Sequence, residues 1–144
     1  MVLATLVWVS GDADIAREAT DEAFARALAR WERLRIMESP GGWVYTVALN
    51  LVRRHATRRA AERRAAELAR PPDSFTDRTG ELWQVVQALP PRQRAAVVLR
   101  YLADLKEHDI ARVMQISPGT VASTLAAART RLAGWLSTDD EDLQ

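Results

Sequence analysis

An all-α fold follows from three features of this sequence. Apolar residues recur at steps of three and four almost throughout, and no stretch alternates with the period of two that a half-buried strand shows. Prolines stand where helices can start, as in Ser39-Pro40, Pro90-Pro91 and Ser117-Pro118. The expected organisation is two small helical domains, the second a helix-turn-helix, with 1–66 as the first, 67–80 as a linker, 81–138 as the second and 139–144 as an acidic tail.

Taken in order, Gly11-Asp12 caps a helix that runs to about Trp31. Its core face is expected to comprise Ala16, Ala23, Phe24, Ala27 and Trp31, and Asp14, Glu18, Asp21 and Glu22 line the other side as an acidic stripe. Favourable placement of carboxylates toward a helix N-terminus accounts for Asp12 and Asp14 but poorly for Asp21 and Glu22. "ERLRIMESPGG" reads as a loop, and Ser39-Pro40 opens a long helix through Ala69. On that helix Trp43, Val44, Val47, Ala48, Leu51 and Val52 form an apolar face, while Tyr45, Thr46, Asn50, Arg53 and Arg54 gather on the other. An aromatic ring, a hydroxyl, an amide and guanidinium groups together suit a single nucleic-acid strand, by stacking, base-edge hydrogen bonds and phosphate contact. Exposed helix residues with no ligand would give the same pattern. The later arginines, Arg58, Arg59, Arg63 and Arg64, continue at five-residue intervals, wind around the helix and read as solvated surface.

"RPPDSFTDRTGE", Arg70 to Glu81, has no apolar period and reads as connecting chain. Four short helices follow, at about 82–88, 91–102, 106–114 and 118–136. Pro91 suits a first helical position because its missing N–H would be unpaired there, and Ser117 caps the last helix with Pro118 at its first position. Val121, Leu125, Ala128, Leu132, Trp135 and Leu136 form the core stripe of that helix, and Ile110, Met114 and Ile116 are apolar where two crossed helices would pack.

Net charge is +1, too little for a global attraction to nucleic acid. Its distribution is uneven: residues 1–70 hold twelve arginines against nine acids, and four of the ten acids in 71–144 fall in the tail Asp139–Asp142, expected to be solvated chain without structure. The chain has no cysteine, hence no disulfide or thiolate-metal chemistry. His55 stands among arginines and His108 between two acids, neither with metal-ligand spacing, and both are expected at the surface. No phosphate-cradling glycine loop or nucleophile motif occurs, so no enzyme activity and no cofactor are expected. The longest apolar run is far short of a membrane span and "MVLATLVWVSGD" lacks a basic leader, which predicts a cytoplasmic protein without a membrane partner.

Two longer stretches carry a family resemblance. "ALPPRQRAAVVLRYLADLKEHDIARVMQISPGTVASTLAAARTRL" resembles region 4 of the extracytoplasmic-function (ECF) group of bacterial RNA polymerase sigma factors. "GDADIAREATDEAFARALARW" and "SPGGWVYTVALNLVRRHATRR" resemble region 2 of the same group, including Asp21-Glu22 before Phe24, Pro40 with Trp43, and Ala48 with Asn50. By that resemblance Met1–Asp12 corresponds to the end of the first region 2 helix, of which about fifteen residues would be missing, leaving less apolar surface to bury.

The resemblance implies a promoter-recognition factor whose partners are core RNA polymerase, promoter DNA and an anti-sigma factor. It implies that Tyr45, Thr46, Asn50, Arg53 and Arg54, with the loop Leu34 to Gly42, capture the minus-ten strand with a flipped base. It places Asp14, Glu18, Asp21 and Glu22 on the polymerase clamp, and assigns Arg112, Ser117, Thr120, Ser123, Thr124, Arg129 and Arg131 to the minus-thirty-five duplex. One departure stands out. Ala122, Thr124 and Ala127 occupy positions where the family often carries Lys or Arg, so duplex binding is expected to have few ionic contacts and to lean on tethering by the polymerase. The alternatives are a free-standing helix-turn-helix regulator and a sigma-like protein that binds polymerase or an anti-sigma factor without reading promoters.

Overall fold

The structure is a computed structural model that describes residues 1–66 and 80–141. Eight helices and no strand occur among them: α1 (Val2–Ser10), α2 (Ala13–Ala29), α3 (Trp31–Leu34), α4 (Pro40–Ala66), α5 (Gly80–Ala88), α6 (Pro91–Tyr101), α7 (Glu107–Met114) and α8 (Pro118–Glu141). Most of the expected linker, with its boundary to the first domain, lies outside the described residues. Gly80, read as its last residue, already belongs to α5.

Local chemistry sets the helix ends. Gly11 stops α1 in the left-handed region at φ 70°, with its N–H on the Val7 carbonyl at 2.9 Å. The Asp12 carboxylate then caps α2, accepting from the N–H groups of Asp14 and Ile15 at 2.9 and 3.0 Å. Ser39 and Ser117 do the same work for α4 and α8, accepting at 3.1 Å from the N–H of Gly42 and of Thr120. In the turn between α7 and α8, Gln115 takes the left-handed conformation (φ 57°) and Ile116 N–H reaches the Ala111 carbonyl at 3.0 Å, closing the helix as a glycine would but with a side chain to accommodate. That closure turns the chain so that α7 and α8 pack on each other, with Ala111 and Val121, ten residues apart, both buried.

α1 decides the architecture. Its sequence, VLATLVWVS, is apolar around most of its circumference, and such a helix needs cover on more than one side. It lies against α2 and α4 on one side and against α5 and α6 on the other, while α4 also meets α7. The buried residues therefore form one connected cluster that runs from Leu6 and Ala16 through Ala48 and Leu51 to Leu89, Leu99, Ile110 and Leu125.

Several expectations are corrected here. The buried face of α2 is an alanine seam, Ala16, Ala19, Ala23 and Ala27, which permits close helix approach. Phe24 and Trp31 are 46% and 51% exposed, so the large aromatics point away from that seam. Residues 31–34, expected as helix end and loop, form the separate short helix α3. Asp139 to Glu141, expected as structureless tail, continue α8.

Candidate nucleic-acid and polymerase surfaces

α7 and α8 form the helix-turn-helix. Val121, Leu125 and Ala128 are fully buried against α6 and α7. The remaining surface of the first α8 turns consists of exposed Ala122, Ser123, Ala126, Ala127 and Thr130, with half-buried Thr120 and Thr124. Polar groups here are partly used locally. Ser117 Oγ lies 2.8 Å from Thr120 Oγ1, and Ser123 Oγ donates to the Thr120 carbonyl at 3.1 Å. Arg129 Nε donates to Tyr101 Oη at 3.0 Å, which fixes its direction and brings Tyr101, not singled out from sequence, to the edge of this surface. Arg131 is exposed and has no ion pair among the described residues. Arg112, on α7, lies 3.7 Å from Glu38 in the loop before α4.

On α4 the expected strand face is only partly open. Arg53 and Arg54 are exposed without an acidic partner among the described residues, and Thr46 and Asn50 are half-buried. Tyr45 is a correction. It is 8% exposed, with its hydroxyl 3.5 Å from the buried Thr5 Oγ1, because α4 is covered by α1 and α7 as well as by α2. The sequence carried a hint in Leu49, also buried, which falls outside the single apolar face and shares a stripe with Tyr45 and Val52. The Thr46 hydroxyl donates back to the Gly42 carbonyl at 2.9 Å, tying the first turns of α4 together.

The acidic stripe on α2 does not stand alone. Arg59 reaches from α4 to the Asp12 carboxylate at 3.1 Å and to Glu18 at 3.3 Å, and Arg58 lies 3.8 Å from Glu18. Glu22 pairs with Arg26, Asp14 with Arg17 at 3.1 Å, and Asp21 is exposed without an ion pair among the described residues. His55, expected at the surface, is instead largely enclosed, its Nδ1 3.4 Å from Glu18 and its Nε2 3.7 Å from Glu22. His55, Arg58 and Arg59 were missed as neighbours of the stripe because nothing in a single sequence sets the rotation of α4 against α2.

These surfaces first define a class: a transcription factor that presents a helix-turn-helix and, on a second helical unit, free arginines beside an acidic stripe. Residues 1–62 match the family model described as Sigma-70 region 2, and residues 79–132 match Sigma-70, region 4. The RNA polymerase sigma-E factor of Streptomyces coelicolor is 30% identical over 132 residues, covering 88% of this chain and 75% of that protein. The ECF RNA polymerase sigma factor EcfG of Rhodopseudomonas palustris is 27% identical over 143 residues, covering 94% and 79%. Among solved structures, the sigma factor RpoE in complex with the anti-sigma factor NepR from Bartonella quintana shares the fold with a TM-score of 0.80 at 19% identity, over 96% of this chain and 91% of that one.

The chain belongs to the sigma-70 family, in its ECF group: it is an RNA polymerase sigma factor, a DNA-binding transcription initiation factor whose partners are core polymerase and promoter DNA. A free-standing helix-turn-helix regulator is not favoured, since region 2 as well as region 4 is present. No helix among the described residues is long and apolar enough to cross a membrane.

Proposed function

We propose that the two DNA-reading tasks are divided between α4 and α8, and that α2 carries the polymerase contact. Asn50, Thr46, Arg53 and Arg54, with the loop Leu34 to Gly42, hold the minus-ten strand. Ser123, Thr130, Arg129 and Arg131, with the exposed alanines of α8, meet the minus-thirty-five duplex; Ser117 and Thr120 support that surface by shaping the start of the helix, and half-buried Thr124 lies beside them. Asp21 is the acid of the stripe that is free to meet a basic partner, while Glu18, Glu22 and Asp14 are shared with neighbouring cations. The protein acts in the cytoplasm, where its polymerase is, and an anti-sigma factor is a partner, by likeness to the relative solved with one. It regulates initiation and performs no chemistry of its own.

The observation that supports this division most is the segregation of arginines on α4. Arg58 and Arg59 are engaged with α2 acids, whereas Arg53 and Arg54, nearer the helix start and the loop, are left exposed. The test is a pair of binding measurements and a transcription assay. Asn50→Ala is expected to weaken binding to a minus-ten single strand while leaving binding to the minus-thirty-five duplex unchanged, and Asp21→Lys to weaken capture of core polymerase in a salt-sensitive way. Equal loss on both DNAs would reject the division. Run-off transcription with core polymerase, reduced by either substitution, connects both to initiation.

A further inference from the structure

The duplex face of the helix-turn-helix can accept hydrogen bonds and make apolar contacts, but its side chains have almost nothing to donate. At about 100° per residue, the side of α8 opposite the buried Val121, Leu125 and Ala128 is made by Gly119, Ser123, Ala126 and Thr130, flanked by Ala122 and Ala127. None of these residues carries a charge, an amide or a ring, and all are exposed. The hydroxyl protons are committed within the helix. Ser123 donates to the Thr120 carbonyl and Thr130 to the Ala126 carbonyl, both at 3.1 Å, and Ser117 and Thr120 bond to each other at 2.8 Å. Ser123 and Thr130 therefore offer a partner oxygen lone pairs, and the alanines offer methyl groups. Thr124, half-buried at the edge of the face, supplies a single hydroxyl.

The cations are set back from this face. Arg129 stands about 16 Å from Pro118 along the helix, at ~1.5 Å per residue, and its Nε is held by Tyr101 Oη at 3.0 Å. Arg131 lies beyond it, and Arg112 belongs to α7, the helix that crosses the DNA backbone in this motif. Nothing long projects from the centre of the face. At Gly119 the space a Cβ would take is open, with Ser117 Oγ 4.0 Å away, so the start of the helix can approach base edges closely.

Base edges in the major groove respond differently to such a face. Guanine presents two acceptors, N7 and O6, that call for a bidentate donor such as arginine; adenine presents an amino donor, and thymine a methyl group. Against alanine methyls the guanine acceptors lose water and gain no donor, which costs affinity. The thymine methyl gains apolar contact, and the adenine amino group has Ser123 Oγ to receive it. We infer that α8 reads A·T pairs chiefly through thymine methyls, with Ser123 and Ala126 as the residues that determine this specificity and guanine excluded from the positions they face. The inference rests on the assignment of α8 to the minus-thirty-five duplex, and it makes that element A·T-rich where the helix enters the groove. Arg129 and Arg131 contact phosphate and position the helix without reading sequence.

The experiment uses the full chain at low salt with a pool of duplexes randomised over about ten base pairs, one turn of DNA. Repeated selection is expected to enrich A·T pairs and deplete guanine. In a selected duplex, uracil in place of a single thymine removes only the methyl group. At the positions that Ser123 and Ala126 face, this exchange is expected to weaken binding about fourfold each, the worth of one buried carbon, and in the fixed flanks to change nothing. Ala126→Glu, at an exposed position, sets a carboxylate against the DNA and is expected to abolish binding of the selected duplex. Binding that Ala126→Glu removes but uracil leaves unchanged, or a selected pool rich in guanine, would overturn the thymine readout while keeping α8 on the duplex. Binding that survives Ala126→Glu, in a protein whose circular dichroism is unaltered, would instead overturn the assignment of α8 beneath it.

Discussion

α4 and α8 begin alike and end up differently employed. Each starts with Ser-Pro-Gly, each caps itself through the serine hydroxyl at 3.1 Å, and each carries a proposed DNA surface. α4 is rich in arginine, yet neighbours cover three of its sides and two of those arginines are tied to the α2 acids. α8 offers an open face with hardly a charge on it: alanine, serine and threonine, with arginine only from Arg129 onward. The comparison teaches that charge written in a sequence is not charge available at a surface. On α4, Arg58 and Arg59 are taken up in holding α2, and the first turns of α8 carry no charge at all.

The largest expected effect tests the covered side of α4. Tyr45→Ala should destabilise the protein by about 3–5 kcal/mol, the range for losing a buried aromatic, with a matching fall in thermal midpoint. Tyr45→Phe should cost less than about 1.5 kcal/mol, because the hydroxyl has only a long contact to Thr5 and the ring volume is kept. If Tyr45→Ala kept its melting temperature and lost only strand binding, the ring would have to face bases, and the closed packing of α4 would be wrong.

A smaller effect separates the open charges of the two helices. Arg53→Ala and Arg54→Ala should each flatten the log-log salt dependence of single-strand binding by about 0.7. Ala122→Lys and Ala127→Arg, both at exposed positions clear of the buried Val121, Leu125 and Ala128, should each steepen the corresponding slope for duplex by about 0.9 if the new cation reaches a phosphate. Specificity need not change, since phosphate contacts place the helix without reading sequence. Duplex binding that is already steep and indifferent to both substitutions would show that α8 is not the contacting surface.

The smallest effect addresses the arginines held by α2. Glu18→Gln removes the acid shared by Arg58 and Arg59, and it is expected to cost no more than about 1 kcal/mol of stability because all three groups retain solvent contact. Freed in this way, the two arginines should slightly raise non-specific DNA binding at low salt, measurable by filter binding or anisotropy. Arg59→Ala should lower stability more than Arg58→Ala, since Arg59 also holds the Asp12 cap of α2.

Most of the helices were legible in the chain because their causes are local. Asp12, Ser39 and Ser117 cap the helices they precede, and Val121, Leu125 and Ala128 fall at steps of four and three on the buried side of α8. The region 2 and region 4 resemblances lay in ordered strings of residues and needed no coordinates. What failed were statements about which side of a helix meets what. Phe24 and Trp31 read as core because aromatics are usually the better burial, and the structure buries alanines instead, which bring α2 closer to its neighbours. Tyr45 read as free because it falls opposite the one apolar face that the periodicity gives α4, whereas α1, α2 and α7 all pack against that helix.

The sequence by itself determined the all-α class, the helix starts, the helix-turn-helix and the family, since capping, periodicity and motif order act over a few residues. Only the tertiary structure decided that α1 is shared by both halves, that Tyr45 is enclosed, that Arg59 belongs to Asp12 and Glu18, and that α7 faces the loop before α4. Those outcomes depend on contacts between residues 40 or more positions apart, where nothing local fixes the rotation of one helix against the next, and burial of the apolar α1 from two sides makes the choice.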